Sequence, residues 1–256
     1  MLNLNQIYQG DCLEIMKGID DKSVDMILAD LPYNTTDIYW DRKISLESLW
    51  EHYKRIIKDN GSIILTAMQP FTSKLVMSNP GMFRYNWIWE SNKAANFAQA
   101  PYMPLKNTED VLVFSYATIA ANSKNRMKYK PQGTKEVNKI CKGRGATNHR
   151  PNRSEQGYYK QTRTNYPKQI LKFNKVKKPL HPTQKPVALF EYLIKTYTNE
   201  GDVVLDNVAG SGTTGVACQN LNRNFILIEK EPEYCEIAKQ RLSEQQNQKS
   251  LLELAE

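Results

Sequence analysis

The stretch Val203-Val204-Leu205-Asp206, followed by Asn207-Val208-Ala209-Gly210-Ser211-Gly212-Thr213-Thr214-Gly215, constrains the fold of this chain more than any other. A short apolar run closing on an acid, a glycine-rich turn and a helical pattern through Leu221 make a strand–turn–helix unit. Phe225-Ile226-Leu227-Ile228-Glu229 supplies the next strand. Buried strands that alternate with helices belong to a parallel sheet covered on both faces. Gly210 and Gly212 allow the backbone to approach a ligand, and the helix start offers unpaired N–H groups to a carboxylate or phosphate. Glu229 ends its strand 17 residues beyond Gly212, where an acid can bind both hydroxyls of a ribose. Gly215 also completes Gly-x-Gly-x-x-Gly, so a nicotinamide dinucleotide is the competing ligand. Two features oppose it. The hydroxyls of Ser211, Thr213 and Thr214 suit a carboxylate, and no complete second nucleotide-binding half follows the turn.

The rest of the chain continues the alternation. Gln6 to Gln9 is a short strand. Asp11 then stands before a helical turn, as its N-cap or facing a ligand. Val24 to Ala29 is a second strand. Ser45 caps a helix with apolar residues at helical spacing from Leu46 to Ile57, ended by Asn60-Gly61. Strands follow at Ser62 to Thr66, Phe83 to Glu90 and Val111 to Phe114. Helices are expected around Phe71 to Met77, over Val187 to Tyr197, and from Pro232 to about Leu242. With the two strands of the glycine unit this makes an α/β fold, an open, mostly parallel seven-stranded Rossmann-like sheet with a basic inserted region.

Asp30-Leu31-Pro32-Tyr33 follows the Val24 to Ala29 strand. Pro32 removes a backbone donor and fixes its own φ, which frees neighbouring carbonyls to point outward. A carboxylate beside a free carbonyl can accept both hydrogens of an amino group, and Tyr33 offers a flat face for a planar ring. The same four residues also fit a simple strand-end turn with an Asp cap.

The formal net charge of +8 is unevenly spread. Between Asn122 and Lys178 there are 17 Lys and Arg against Glu136 and Glu155, a local +15, whereas the rest carries 18 Lys and Arg against 25 acids. Tyr129, Tyr158, Tyr159 and Tyr166 are interleaved with these cations. A basic linker is one reading. Basic side chains with interspersed aromatics are also what a nucleic-acid surface requires. No apolar run is long enough to cross a membrane, and the N-terminus has no signal-peptide pattern. Four scattered cysteines without Cys-x-x-Cys suggest reduced thiols in a cytoplasmic protein, and three histidines make a zinc site unexpected.

Taken in order, Asp30-Leu31-Pro32-Tyr33, the basic segment, His181-Pro182-Thr183-Gln184-Lys185-Pro186 and Asp206…Gly210-Ser211-Gly212-Thr213-Thr214 resemble the β-class amino-methyltransferases that act on DNA. The likeness covers nearly the whole chain outside the basic segment. Asn207-Val208-Ala209 departs from the family's usual Pro-Phe, and Leu31 from its commoner Pro. The resemblance implies S-adenosylmethionine as cofactor and double-stranded DNA as partner. It implies that Asp30 and the Pro32 carbonyl accept from the target amine while Tyr33 stacks on a flipped base. Asp206, Gly210, Ser211, Gly212, Thr213 and Thr214 would hold the methionine part, with Glu229 on the ribose. Asp11 and Cys12 would sit at the adenine end, Asp30 would border the cofactor, and Thr183 and Lys185 would reach its carboxylate.

Residues 1–116 and 179–245 would then be the two halves of one core, 117–178 the target-recognition region and 246–256 a solvated tail. Arg144, Arg150, Arg153 and Arg163 are the candidates for reading base edges, because Arg makes bidentate contacts. An Asp at the head of the catalytic motif favours adenine N6 in this family. Cytosine N4 is the alternative, then an RNA or protein-amide methyltransferase. From another class, a catalytically inactive nucleic-acid-binding module remains. A cognate restriction endonuclease and a homodimer are partners the resemblance allows.

Overall fold

A computed structural model describes residues 2–33, 44–120, 123–142 and 158–253. The chain divides into two compact units, Met1–Lys130 with Gln169–Glu256, and Pro131–Lys168.

The larger unit is built on a sheet of eight strands. In chain order the strands are β1 (Gln6–Gln9), β2 (Val24–Ala29), β3 (Ile57–Ala67), β4 (Phe83–Ala95), β5 (Lys106–Phe114), β8 (Ile170–Lys172), β9 (Val203–Asp206) and β10 (Asn224–Glu229). Their order across the sheet is β1-β10-β9-β2-β3-β5-β4-β8. Neighbours from β1 to β3 are parallel, and β5 alone runs antiparallel to both its neighbours. Every residue of β2 is buried, which explains its near-continuous apolar sequence. Met26 and Leu28 face α4 (Val187–Tyr197) and α5 (Thr213–Asn220), while Ile27 and Ala29 face α1 (Cys12–Met16) and α2 (Leu46–Ile56).

All seven expected strands lie in this sheet. The eighth, β8, pairs with β4 and comes from the basic stretch. The flank before the insertion is also tied down. Lys128 Nζ donates to Asp25 Oδ1 and Asp202 Oδ2, both at 2.8 Å, and Met127 is buried in the core. The compact insertion is therefore Pro131–Lys168, narrower than the expected 117–178. It holds nine Lys and Arg against two acids, so much of the basic stretch's charge sits on the core instead. Within it β6 (Lys135–Lys142) and β7 (Tyr158–Thr164) form an antiparallel hairpin.

Two boundaries differ from expectation. α2 ends at Ile56, and β3 begins at Ile57 and runs through Asn60-Gly61. A Cβ on Gly61 would meet the Asp25 carbonyl oxygen at 2.8 Å, so this glycine serves close strand approach and not a helix end. α6 (Pro232–Glu253) continues well beyond Leu242 through residues expected as a solvated tail.

The sheet places its chemistry at one edge. From β9 the chain winds outward to β10, and from β2 it winds the other way to β3. The carboxyl ends of β2 and β9 thus flank a crevice where the winding reverses, the place where open α/β sheets bind ligands.

Candidate active site

A cleft of about 460 Å³ opens at that edge, within the usual size of small-molecule sites. Asp30 and Tyr33 follow β2, Asp206 ends β9, Glu229 ends β10, and Asp11 and Cys12 follow β1; all line the cleft. Leu31, Pro32, Thr183, Lys185, Gly210, Ser211 and Thr213 line it too. Gly212 and Thr214, expected among them, do not.

The turn explains those two exceptions. Gly210 and Gly212 have φ of 50° and 76°, in the left-handed region that favours glycine. A Cβ on Gly212 would lie 2.8 Å from the Ala238 Cβ, so its bare face admits α6 and not a ligand. Thr214 Oγ1 donates to Asp206 Oδ2 at 2.5 Å beneath the turn. The hydroxyls of Ser211 and Thr213 are also engaged, because Arg241 Nη1 donates to both and to the Ser211 carbonyl. Arg241 stands on α6, far from any motif, and carries no signal in the sequence.

Burial pushes Asp206 up to about 7, with donation from Thr214 and Val208 acting against it. Glu229 is also raised by burial. Its Oε2 accepts from Gly210 N–H at 2.7 Å and its Oε1 from Glu231 N–H at 2.9 Å, so this acid fixes the glycine turn while facing the cleft. Asp11 both caps α1, accepting from Leu13 N–H at 2.9 Å, and borders the cleft. Cys12 is buried beside Asn207, whose Oδ1 accepts from the Tyr53 hydroxyl at 2.5 Å. The His181 ring packs edge-on against Tyr234 at 4.2 Å and faces the bare side of Gly210. His181 was legible only as part of its motif, and Tyr234 not at all.

Asp30 is the most heavily bonded side chain of the cleft. Its Oδ1 accepts from the Tyr33 hydroxyl at 2.8 Å and from Thr66 Oγ1. Its Oδ2 accepts from Lys185 Nζ at 2.8 Å. Lys185 is 6% exposed and also pairs with Glu109 Oε2 at 3.0 Å. Lys185 was expected on a cofactor carboxylate. Its ammonium lies on Asp30 and Glu109 instead, because a buried cation needs anionic partners within reach. Burial, the largest single effect, lowers its pKa, but Asp30 and Glu109 together outweigh it and the net shift is upward. The Tyr33 ring stands 5.4 Å from that of Phe71, tilted by 31°.

Of the four arginines singled out for base reading, Arg144, Arg150 and Arg153 lie outside the described residues. Arg163 lies on β7, its Nη1 donating to Thr134 Oγ1 at 3.3 Å.

A glycine turn at the head of a helix, an acid closing the following strand and an Asp-x-Pro-Tyr corner at the adjoining strand thus meet at one cleft. A sequence profile of the DNA methylase family, N6/N4 type, matches residues 24–240, and the chain belongs to this family. Among curated relatives, the type II methyltransferase M.HpaI of Haemophilus parainfluenzae is 30% identical over 93% of this chain and 74% of its own length. M.HinfI of Haemophilus influenzae, also a type II methyltransferase, is 28% identical over 94% and 69%. Among solved structures, the complex of M1.HpyAVI with S-adenosylmethionine superposes with a TM-score of 0.64 at 27% identity, over 93% of this chain and 99% of that one. The cytosine-N4-specific PvuII DNA methyltransferase shares the fold, with a TM-score of 0.67 at 15% identity over 92% and 85%. The cofactor is S-adenosylmethionine and the substrate is DNA, as in type II restriction-modification enzymes.

Proposed function

We propose that this chain methylates adenine N6 in duplex DNA, on a base turned out of the helix into the cleft. The observation that carries the reading is Asp30. It follows β2 at the cleft wall, accepts from Lys185 Nζ at 2.8 Å, and its Oδ1 accepts from the Tyr33 hydroxyl.

Asp206, the Gly210 turn and Thr213 would hold the methionine end of the cofactor, Glu229 the ribose, and Asp11 and Cys12 the adenine end. The set fits, since these residues share one cleft of suitable size and its acids suit a cationic ligand. When bound, the cofactor supplies an electrophilic methyl group on a sulfonium. Asp30 and the Pro32 carbonyl accept hydrogens from the exocyclic amine. They hold its lone pair in line and stabilise the positive charge that develops on nitrogen. Tyr33 stacks on the base. An amine paired in the duplex cannot reach these groups, so the base must leave the stack. The insertion 131–168 grips phosphate and reads the site, with Arg144, Arg150, Arg153 and Arg163 as the candidates for reading base edges.

The test is chemical. DNA from cells expressing the protein is hydrolysed and its nucleosides are resolved by mass spectrometry. N6-methyladenine is the expected product. N4-methylcytosine would overturn the adenine assignment, and no methylated base would overturn the activity.

A further inference from the structure

We propose that Glu109 is a positioning residue for methyl transfer, holding the Lys185 ammonium to one side of Asp30 so that one acceptor site of that carboxylate stays open to the target amine. The proposal rests on the reading of Asp30 as the amine's acceptor.

An ionised carboxylate offers about four lone-pair sites. Thr66 and Tyr33 hydroxyls fill both on Asp30 Oδ1. Lys185 takes one on Oδ2, which leaves one for an incoming donor, on the same oxygen as the ammonium. An ammonium carries three donors on a flexible stem and can spread over whatever anion is nearest. Here a second anion restrains it. Glu109 Oε2 lies 3.0 Å from Lys185 Nζ, and this charge-assisted contact is the one side-chain partner seen for that oxygen among the described residues.

The sheet builds this arrangement across three strands. Asp30 follows β2, Thr66 lies on β3 and Glu109 on β5, the antiparallel strand, with Ala29 opposite Leu65 and Thr66 opposite Val111. The side chains of Glu109 and Asp30 are 15% and 18% exposed. A sheet does not need a largely buried acid there, since an apolar residue would pack at lower desolvation cost. The charged groups facing Lys185 are Asp30 and Glu109, with the Tyr33 ring 5.9 Å away and His181 near enough to sense its charge.

The experiment measures single-turnover methyl transfer from S-adenosylmethionine to unmethylated, enzymatically amplified DNA. Glu109→Gln keeps the shape and removes the charge. It should slow transfer by about 10- to 100-fold, as expected for a mispositioned hydrogen bond at the reacting centre, with S-adenosylmethionine affinity by calorimetry unchanged. Lys185 loses one of the two acids that raise its pKa, so the alkaline limb of the pH–rate profile should move to lower pH. A purely structural Glu109 would not move that limb. Glu109→Asp, which keeps the charge on a shorter arm, should fall between wild type and Glu109→Gln, and it stands in should Glu109→Gln fail to fold. Wild-type rate and an unshifted limb in Glu109→Gln would overturn the proposal, as would a Glu109→Asp enzyme slower than Glu109→Gln. Asp30→Ala is measured in parallel. If it is active, the reading of Asp30 fails; if it is inactive while Glu109→Gln is normal, only the role of Glu109 fails.

Discussion

Lys185 Nζ donates to Asp30 Oδ2 at 2.8 Å, across 155 positions of the chain. The bond joins two motifs that each look self-sufficient in sequence. It means that the segment preceding the glycine turn reaches across the cleft to the Asp30 corner and fixes the orientation of that carboxylate.

Asp30→Ala should lower transfer by at least ~100-fold, since a positioned acceptor is lost at the reacting centre. Cofactor affinity should stay near normal, because Asp30 belongs to the corner after β2 and not to the glycine turn. Methyl transfer to DNA and calorimetric titration with S-adenosylmethionine check the two halves. A variant turning over at wild-type rate refutes the assigned chemistry.

Gly212→Val should damage folding before it damages binding. The new Cβ would collide with Ala238 at 2.8 Å on a backbone with φ of 76°. Overpacking of this kind costs about 1–3 kcal/mol, and the strained φ adds to it. A thermal melt should show a clear fall in Tm. A normal melt with weakened cofactor binding would put Gly212 back at the ligand.

Glu229→Ala should weaken S-adenosylmethionine binding by about 1–3 kcal/mol through unpaired hydroxyls. It also frees the Gly210 and Glu231 N–H groups, so a fall in Tm should accompany the loss. An unchanged dissociation constant means that the ribose lies elsewhere.

Asp206 predicts a pH dependence. Its folded pKa of about 7 exceeds the ordinary 3.8, so the folded chain holds a proton that the unfolded chain releases between these values. The resulting stability is full below the ordinary value and is lost as pH rises through about 7. A cationic cofactor favours the carboxylate and should expel that proton. Binding should therefore tighten from pH 6 to pH 8 in ~0.1 M salt, with proton release seen as a buffer-dependent calorimetric enthalpy. Asp206→Asn should abolish both trends.

Exchanging residues 131–168 for the matching segment of a relative with a different target should carry the target with it. Replacing a single cation that contacts phosphate should lower the salt slope by about one and leave the site unchanged, whereas replacing Arg163, the described base-reading candidate, should relax specificity at one base pair by roughly 1–3 kcal/mol. If the hybrid keeps the host's methylated site, the insertion does not read sequence.

Sequence alone determined the layered α/β architecture and the motifs that meet at the cleft. Both depend on local rules: apolar runs that must be buried, a turn that only glycine can make at Gly210 and Gly212, and an acid a fixed distance along the next strand. The corner of the cleft formed by Asp30, Pro32 and Tyr33 was legible for a similar reason, since the motif is one short contiguous stretch. Tertiary structure decided what no local rule encodes. Strand order brought Glu109 and Thr66 beside Asp30, and α6 brought Ala238 and Arg241 against the glycine turn. The same packing turned Gly212 and Thr214 away from the cleft and took Lys185 to Asp30. It also drew both flanks of the basic stretch onto the core, because Met127 and Leu171 gain more from burial there than charge counting along the chain can reveal. The physical reason is range. Backbone conformation and hydrophobic periodicity act within a few residues, whereas ion pairing and close packing act through space between segments whose meeting depends on the whole sheet.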